Sequence, residues 1–300
     1  MLSSARLRLL VELERRGSVT AVADALDFTP SAVSQQLTRL EAETGHILSE
    51  RAGRGVVLTD AGRLLAAHGR DVLERIEAAE AALEASAAPT GRLRVAAFQT
   101  AATRLVVPAF AGLAARYPAL SCELRDLEAE TALPMLHSGE LDAVVAEEYE
   151  QAPRPRDPQI VRHRMGEDAL LVALAAGHAL AATPAAVSLA DLAGEVWATP
   201  WTDTAYAAMV ERACRAAGFE PQVGHRVTDL GTLLELARFG LAVALVPALG
   251  GAREGDGLAL RPVEGGGLKR TLFLAVRRSS TERPALSAFL GQVRGLTSSV

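Results

Sequence analysis

The chain has 300 residues, 49% hydrophobic and 22% charged, with a formal net charge of -5. Such a length exceeds one ordinary compact core, so two or three domains are expected. The apolar content and small net charge exclude a globally disordered chain, and two cysteines, Cys122 and Cys214, in no CxxC spacing exclude a disulfide scaffold.

Charged residues recur at every turn of residues 1–17, which excludes a signal peptide, and the most apolar stretch, Ala169–Ala176, is about half a spanning helix. The expected location is the cytoplasm. Lys269 is the only lysine, so nearly all positive charge is arginine. That suits bidentate phosphate and base contacts, although coding bias produces the same composition.

Leu7, Leu10 and Val11 recur at helical spacing, and Gly17 closes that first helix. Ser18 or Thr20 caps a short second helix with Val22 and Leu26 on one face. Thr29-Pro30, a cap residue followed by proline at the first helical position, opens a third. Its residues Val33, Leu37 and Leu40 form a buried stripe. Ser31, Ser34, Gln35 and Thr38 form the opposite face, which has no aliphatic residue and has Arg39 at its margin. A helix entering the major groove wants such a face, because hydroxyls and amides both donate to and accept from base edges. The alternative is a plain solvated face, which would ordinarily carry Glu, Lys and Arg. Between Ile47 and Thr59, two short apolar stretches flank a Gly/Arg tip, a β-hairpin projecting Arg51 and Arg54. As a wing, it would place these arginines on phosphates or in the minor groove. Residues 1–58 hold seven arginines and seven acids, so any positive footprint must be local.

These residues resemble the LysR-type transcriptional regulators. The resemblance rests on Gly17-Ser18-Val19-Thr20-Ala21, Thr29-Pro30-Ser31-Ala32-Val33-Ser34-Gln35-Gln36, Leu40-Glu41 with Gly45, and Leu58-Thr59-Asp60-Ala61-Gly62. It implies a sequence-specific, effector-responsive DNA-binding regulator rather than an enzyme. It also implies base contacts at Pro30, Ser31, Ser34 and Gln35, and a minor-groove contact at Arg54. Thr29, Thr38, Arg39 and Arg51 complete the candidate DNA-binding set. Gln35 stands where many relatives carry arginine. Glutamine favours adenine and arginine favours guanine, so the operator preference is not inherited.

Thr59 caps a further helix that no proline interrupts before Pro89. Leu65, Val72, Ile76, Ala79 and Leu83 advance by alternating threes and fours, the period of paired helices. A single helix lying on its own domain is the alternative. The resemblance implies a homodimer through this helix, built further into a homotetramer, with two recognition helices reading two half-sites of one double-stranded operator.

Beyond Pro89-Thr90-Gly91, strands and helices alternate, which argues for a parallel sheet covered by helices. Strands are expected at Leu93–Phe98, Cys122–Leu127 and Leu141–Ala146, and helices at Ala101–Arg116 and Ala132–His137. A second lobe begins near His163, with strands at Leu170–Ala175, Val196–Thr199 and Val223–Val227 and helices at Thr204–Ala217 and Leu230–Phe239. Ala242–Val246 is apolar, the chain returns at Leu272–Val276, and a last helix starts near Pro284. Crossovers near 148–163 and 264–275 would join the lobes. The expected class is a multidomain α+β protein: a winged helix-turn-helix (1–58), a linker helix (59–88) and a two-lobed α/β effector domain of periplasmic-binding-protein type (90–300). Lobe I is about 90–160 plus 270–300, and lobe II is about 163–268.

A small-molecule effector would sit between the lobes near strand ends. Thr100 follows a strand and opens a helix, which suits an anion, or it is a plain cap. The resemblance places a Ser or Thr of this kind in effector contact. Gln99 is its partner candidate, followed by Trp201 and Thr202, then Thr228 and Asp229. Trp201 would stack on a ligand or lie in the core. Glu128 and Glu130 would favour a cationic group if they faced the crevice, and are otherwise solvated. No metal or other cofactor is expected. The six histidines show no HxH or HxxxH spacing, and no Walker loop or GxSxG occurs. The competing reading is a solute-binding protein or small-molecule enzyme with an incidental helical N-terminus.

Overall fold

The computed structural model describes residues 1–52, 55–84, 88–201, 203–265 and 268–297. The chain divides into two compact units, Met1–Ser86 and Ala87–Val300.

In the first unit, α1 (Ser4–Arg16) ends at Gly17 in the left-handed conformation, which glycine adopts without a Cβ penalty. Helix α2 (Val19–Ala25) starts at Ser18, whose side chain accepts from the Ala21 amide. Helix α3 (Pro30–Thr44) starts at Thr29, whose side chain accepts from the Ala32 amide, and ends at left-handed Gly45. Strands β1 (Ser49–Ala52) and β2 (Gly55–Leu58) pair antiparallel as the hairpin, and the Val56 amide donates to the Gly17 carbonyl. Leu10, Leu13, Val22, Val33, Leu37, Leu40, Leu48 and Leu58 form one core.

Helix α4 (Asp60–Glu84) packs its first half on that core. Thr59 ties it to the hairpin: its amide donates to Leu48, its hydroxyl donates to Ile47, and its oxygen accepts from Gly62. A Cβ on Gly62 would stand 2.0 Å from the Leu48 carbonyl oxygen, so only glycine permits this approach. The expected seam needs one correction. Leu65 packs on the domain's own core, whereas Leu64, Val72, Ile76 and Leu83 are exposed. Leu65 reads as a seam residue because it falls one heptad before Val72, but α1 already covers that face there.

The second unit is built on a mixed sheet in the order β10-β6-β11-β5-β3-β4, with β9 also on β6. Strands β3 (Gly91–Ala97), β4 (Leu120–Asp126) and β5 (Ala143–Tyr149) are parallel. Strands β6 (Ile160–Ala175) and β11 (Leu268–Arg277) run antiparallel to each other and belong to both lobes. Lobe I packs α6 (Val107–Arg116) and α10 (Pro284–Thr297) on one sheet face and α7 (Ala129–His137) on the other. Lobe II adds β7 (Val196–Thr199), β8 (Gln222–Arg226), β9 (Ala244–Pro247), β10 (Leu258–Pro262), α8 (Ala205–Ala216) and α9 (Leu230–Arg238) around Trp197, Met209 and Leu245.

The expected crossover at 148–163 is irregular between Tyr149 and Ile160 and enters β6 only at its end, whereas β11 already runs from Leu268 within the one expected at 264–275. The polar run Arg162-His163-Arg164 resembles a loop, but its arginines pair with Glu148 and Glu167 beside the ladder. Where the register shifts between Leu272 and Phe273, Met165 is the extra residue, a bulge that bends the ribbon. The helix after β3 is also irregular. Gln99–Ala101 forms α5, a π-helical turn covers Ala102–Val106, and only then does α6 begin.

Candidate DNA interface and effector site

On α3, Val33, Leu37 and Leu40 are buried while Ser31, Ser34, Gln35, Thr38 and Arg39 are exposed, together with Thr29 and Pro30. Helical spacing fixes this division, and two hydroxyls are already directed along the helix. The Thr29 and Ser31 hydroxyls lie 3.1 Å apart, and Ser34 Oγ donates to the Pro30 carbonyl. Arg51 is exposed on β1, and Arg54 lies outside the described residues.

Two acids outside the candidate DNA-binding set hold this surface. Glu41 Oε1, on the last turns of α3, accepts from the amides of Leu48 and Ser49, fixing the hairpin's origin. Glu43 pairs with Arg6 at 2.7 Å, tying α3 to α1.

In the second unit, a buried ion pair sits where the lobes meet. Arg270 on β11 stands between Tyr149 of β5 and Asp168 of β6 in one cross-strand row. Its guanidinium donates to Asp168 Oδ2 and to Thr100 Oγ1, both at 2.8 Å, and its Cζ lies 4.7 Å from the Phe98 ring centre. Asp168 Oδ1 accepts from the Leu249 amide. Burial alone would lower the Arg270 pKa, but Tyr149, Asp168 and Glu147 outweigh it and hold the guanidinium charged. Burial pushes the Tyr149 phenol well up. Thr100 is thus no plain cap: its hydroxyl oxygen accepts from Arg270, and accepting that bond does not use its O–H.

Gln99 reaches across the lobes. Its Nε2 donates to Asp229 Oδ2 at 2.8 Å and its Oε1 accepts from the Leu230 amide at 3.1 Å. Asp229 also caps α9 through Thr232, and the hydrogen bonds from Gln99 and Thr232 lower its pKa. Thr228 is exposed beside it. Trp201 is 60% exposed, so it is no core indole, and Thr202 lies outside the described residues.

Glu128 is half-buried, and Glu130 is exposed but partnered. Glu130 Oε1 accepts from the Ala205 amide at the start of α8 and pairs with Arg154 at 3.0 Å. Arg154 also pairs with buried Glu147 at 2.9 Å. Glu128, at the N-cap of α7 without a cap hydrogen bond, is pushed up to about 7 by burial, then by Glu147, Glu130 and Asp126. Sequence reading found Glu128 and Glu130 but missed their partners Glu147 and Arg154. The available signal was a charged residue at an inward position of an apolar strand, as with Asp168 and Arg270.

A DNA-reading headpiece followed by a two-lobed small-molecule domain defines a ligand-responsive transcriptional regulator. The comparisons agree with that class: residues 4–63 match the bacterial regulatory helix-turn-helix protein, lysR family, and residues 86–297 match the LysR substrate binding domain. The chain belongs to the LysR family of transcriptional regulators. It is 32% identical over 275 residues to the small neutral protease regulatory protein of Streptomyces coelicolor, covering 89% of this chain and 84% of that protein. It is 27% identical over 280 residues to the hydrogen peroxide-inducible genes activator of Pectobacterium carotovorum, covering 92% and 91%. Full-length OxyR from Pseudomonas aeruginosa shares the fold with a TM-score of 0.74 at 18% identity, covering 98% of this chain and 95% of that one. Among the described residues, no helix is long and apolar enough to cross a membrane.

Proposed function

We propose that this regulator works in the cytoplasm as a homodimer, assembled further into a tetramer, and reads an interrupted palindrome. In this reading residues 1–58 bind DNA, 59–88 link and dimerise, and 90–300 bind the effector. Thr29, Pro30, Ser31, Ser34, Gln35, Thr38 and Arg39 face the major groove, while Arg51 and Arg54 contact backbone and minor groove. The carrying observation is the exposed, nearly uncharged face of α3, with its aliphatic side fully committed to the core. The exposed residues Val72, Ile76 and Leu83 on α4 support pairing with a second copy.

The effector acts at the seam between the lobes, through Gln99, Thr100, Trp201, Thr202, Thr228 and Asp229. The Gln99–Asp229 bridge is the contact a ligand would remake, shifting the lobes by its differential affinity for their two arrangements. A thiol-based response to peroxide is disfavoured. Burial pushes buried Cys214 up to about 12 and raises Cys122 as well, and the protonated thiol is a poor nucleophile.

Footprinting of genomic fragments with full-length protein tests the reading. A discrete dyad-symmetric protected site is expected. Binding without a preferred site, at any salt, would overturn it.

A further inference from the structure

We propose that the seam between the lobes is a receptor for an effector carrying a protonated amine, which donates to the Glu147 carboxylate and to Glu128. This inference rests on the effector reading above and adds the chemical class of the ligand.

The argument begins with one atom. Glu147 lies near the end of β5 with its side chain 4% exposed. Its Oε1 pairs with Arg154, but its Oε2 is buried with no hydrogen-bond partner. An unpaired buried carboxylate oxygen is costly, because a charged acceptor stripped of water has lost its solvation without replacement. The oxygen has no solvent-sized space beside it, so a donor would reach it as the seam rearranges around the ligand.

The second element is the charge surrounding that atom. Arg154 lies between Glu130 and Glu147, with contacts of 3.0 and 2.9 Å, so the first turn of α7 stands beside the end of β5. Glu128 is two residues upstream on that turn, and Asp126 ends β4. Across the seam, β6 contributes Asp168 and β11 contributes Arg270. The carboxylates Asp126, Glu128, Glu130, Glu147 and Asp168 thus outnumber the guanidiniums Arg154 and Arg270.

Both guanidiniums are committed. Arg154 donates to the Glu147 carbonyl and carboxylate and pairs with Glu130, while Arg270 donates to Asp168 and Thr100. Neither supplies the missing donor. The surplus negative charge is instead relieved by a proton on Glu128, held up to about 7 mainly by burial and next by Glu147. An organic cation would replace that proton. A metal ion suits the site less, since no group of three or more His, Cys, Asp or Glu among the described residues is arranged to hold one. An ammonium supplies N–H donors that one buried oxygen and one neighbouring carboxylate can share.

Three five-carbon probes test the class in full-length protein: cadaverine (two ammoniums), 1,5-pentanediol (neutral) and glutarate (two carboxylates). Calorimetry and thermal shift at pH 8 are expected to show binding of cadaverine alone. Glu147→Gln and Glu128→Gln should each weaken it about ten-fold or more. A ligand-free readout guards against a folding defect. Because the raised Glu128 pKa means the folded state holds the proton more tightly, stability falls as pH rises through the interval from its ordinary value to about 7. Glu128→Gln should therefore raise the melting temperature at pH 8 and do so less at pH 5. Glutarate or the diol binding as well as cadaverine, with loss in Gln99→Ala, would overturn the amine and leave the seam as effector site. Cadaverine binding insensitive to both glutamate variants, or no cadaverine binding at millimolar concentration, would also overturn it. None of these outcomes touches the operator footprint, which tests the regulator reading separately.

Discussion

The two units solve opposite problems with the same residue types. The N-terminal unit keeps the polar residues of α3 outside and packs its interior mainly with aliphatic side chains, Glu12 being a buried charge that pairs with Arg15 and Arg16 on its own helix. The second unit carries Arg270, Asp168 and Glu147 into its interior, where the lobes meet. A surface that reads DNA need only present groups to a partner that brings its own complementary atoms. A seam that senses a small molecule must hold charge out of water, and here it pairs most of that charge internally, leaving Glu147 Oε2 without a partner. The first unit should thus tolerate polar substitutions on its reading face with little loss of stability, whereas the second should not.

Arg270→Met gives the largest expected effect. It leaves Asp168 buried without its counter-charge, which typically costs about 3–5 kcal/mol. Urea denaturation of the full chain should show that loss in the second unit's transition, and the double variant Arg270→Met with Asp168→Leu should recover much of it. If the single variant loses less than the double, the pair does not work as described. Gly62→Ala should follow in size. Its Cβ meets backbone rather than a mobile side chain, so about 1–3 kcal/mol of destabilisation is expected in the first unit's transition. Operator affinity measured on the same samples should fall with it, and an unchanged unfolding midpoint would contradict the close approach.

The remaining substitutions sharpen the other side of the comparison. Gln35→Ala should leave the melting temperature unchanged while costing about 1–3 kcal/mol at the true operator. Equal loss on random DNA would show that Gln35 reads no base. Arg51→Ala should be the mildest. It should weaken all duplexes alike and reduce the salt slope by about one unit; an unaltered slope would remove Arg51 from the phosphate contacts.

The same contrast explains what the sequence disclosed. The headpiece was legible because its boundaries are written in adjacent residues: Gly17 and Ser18, Thr29 and Pro30, Gly45. Each acts on backbone within a few positions of itself. The order of elements in the second unit was legible for similar reasons. The seam was not. Arg270 and Asp168 are 102 positions apart, and a charge at an inward strand position marks each residue singly without showing that the two meet. The same ambiguity hid the first half of β6, where charged residues paired beside a ladder resemble a loop. Gln99 and Asp229 were each chosen as candidates, but their hydrogen bond to one another required the fold.

The two strands shared by the lobes carry a consequence for how such a sensor diversifies. A flexible hinge made of loops accepts insertions and deletions. Here the joint is a continuous two-stranded ribbon, β6 with β11, whose side chains alternate between faces. One residue added to β6 without a bulge would turn that strand's inward side chains outward on one side of the insertion and leave those on the other side untouched. The bulge at Met165 is one such irregularity already accommodated. Extra length in this ribbon is therefore tolerated only where a bulge absorbs it, and elsewhere the specificity of this architecture has to be rewritten one side chain at a time.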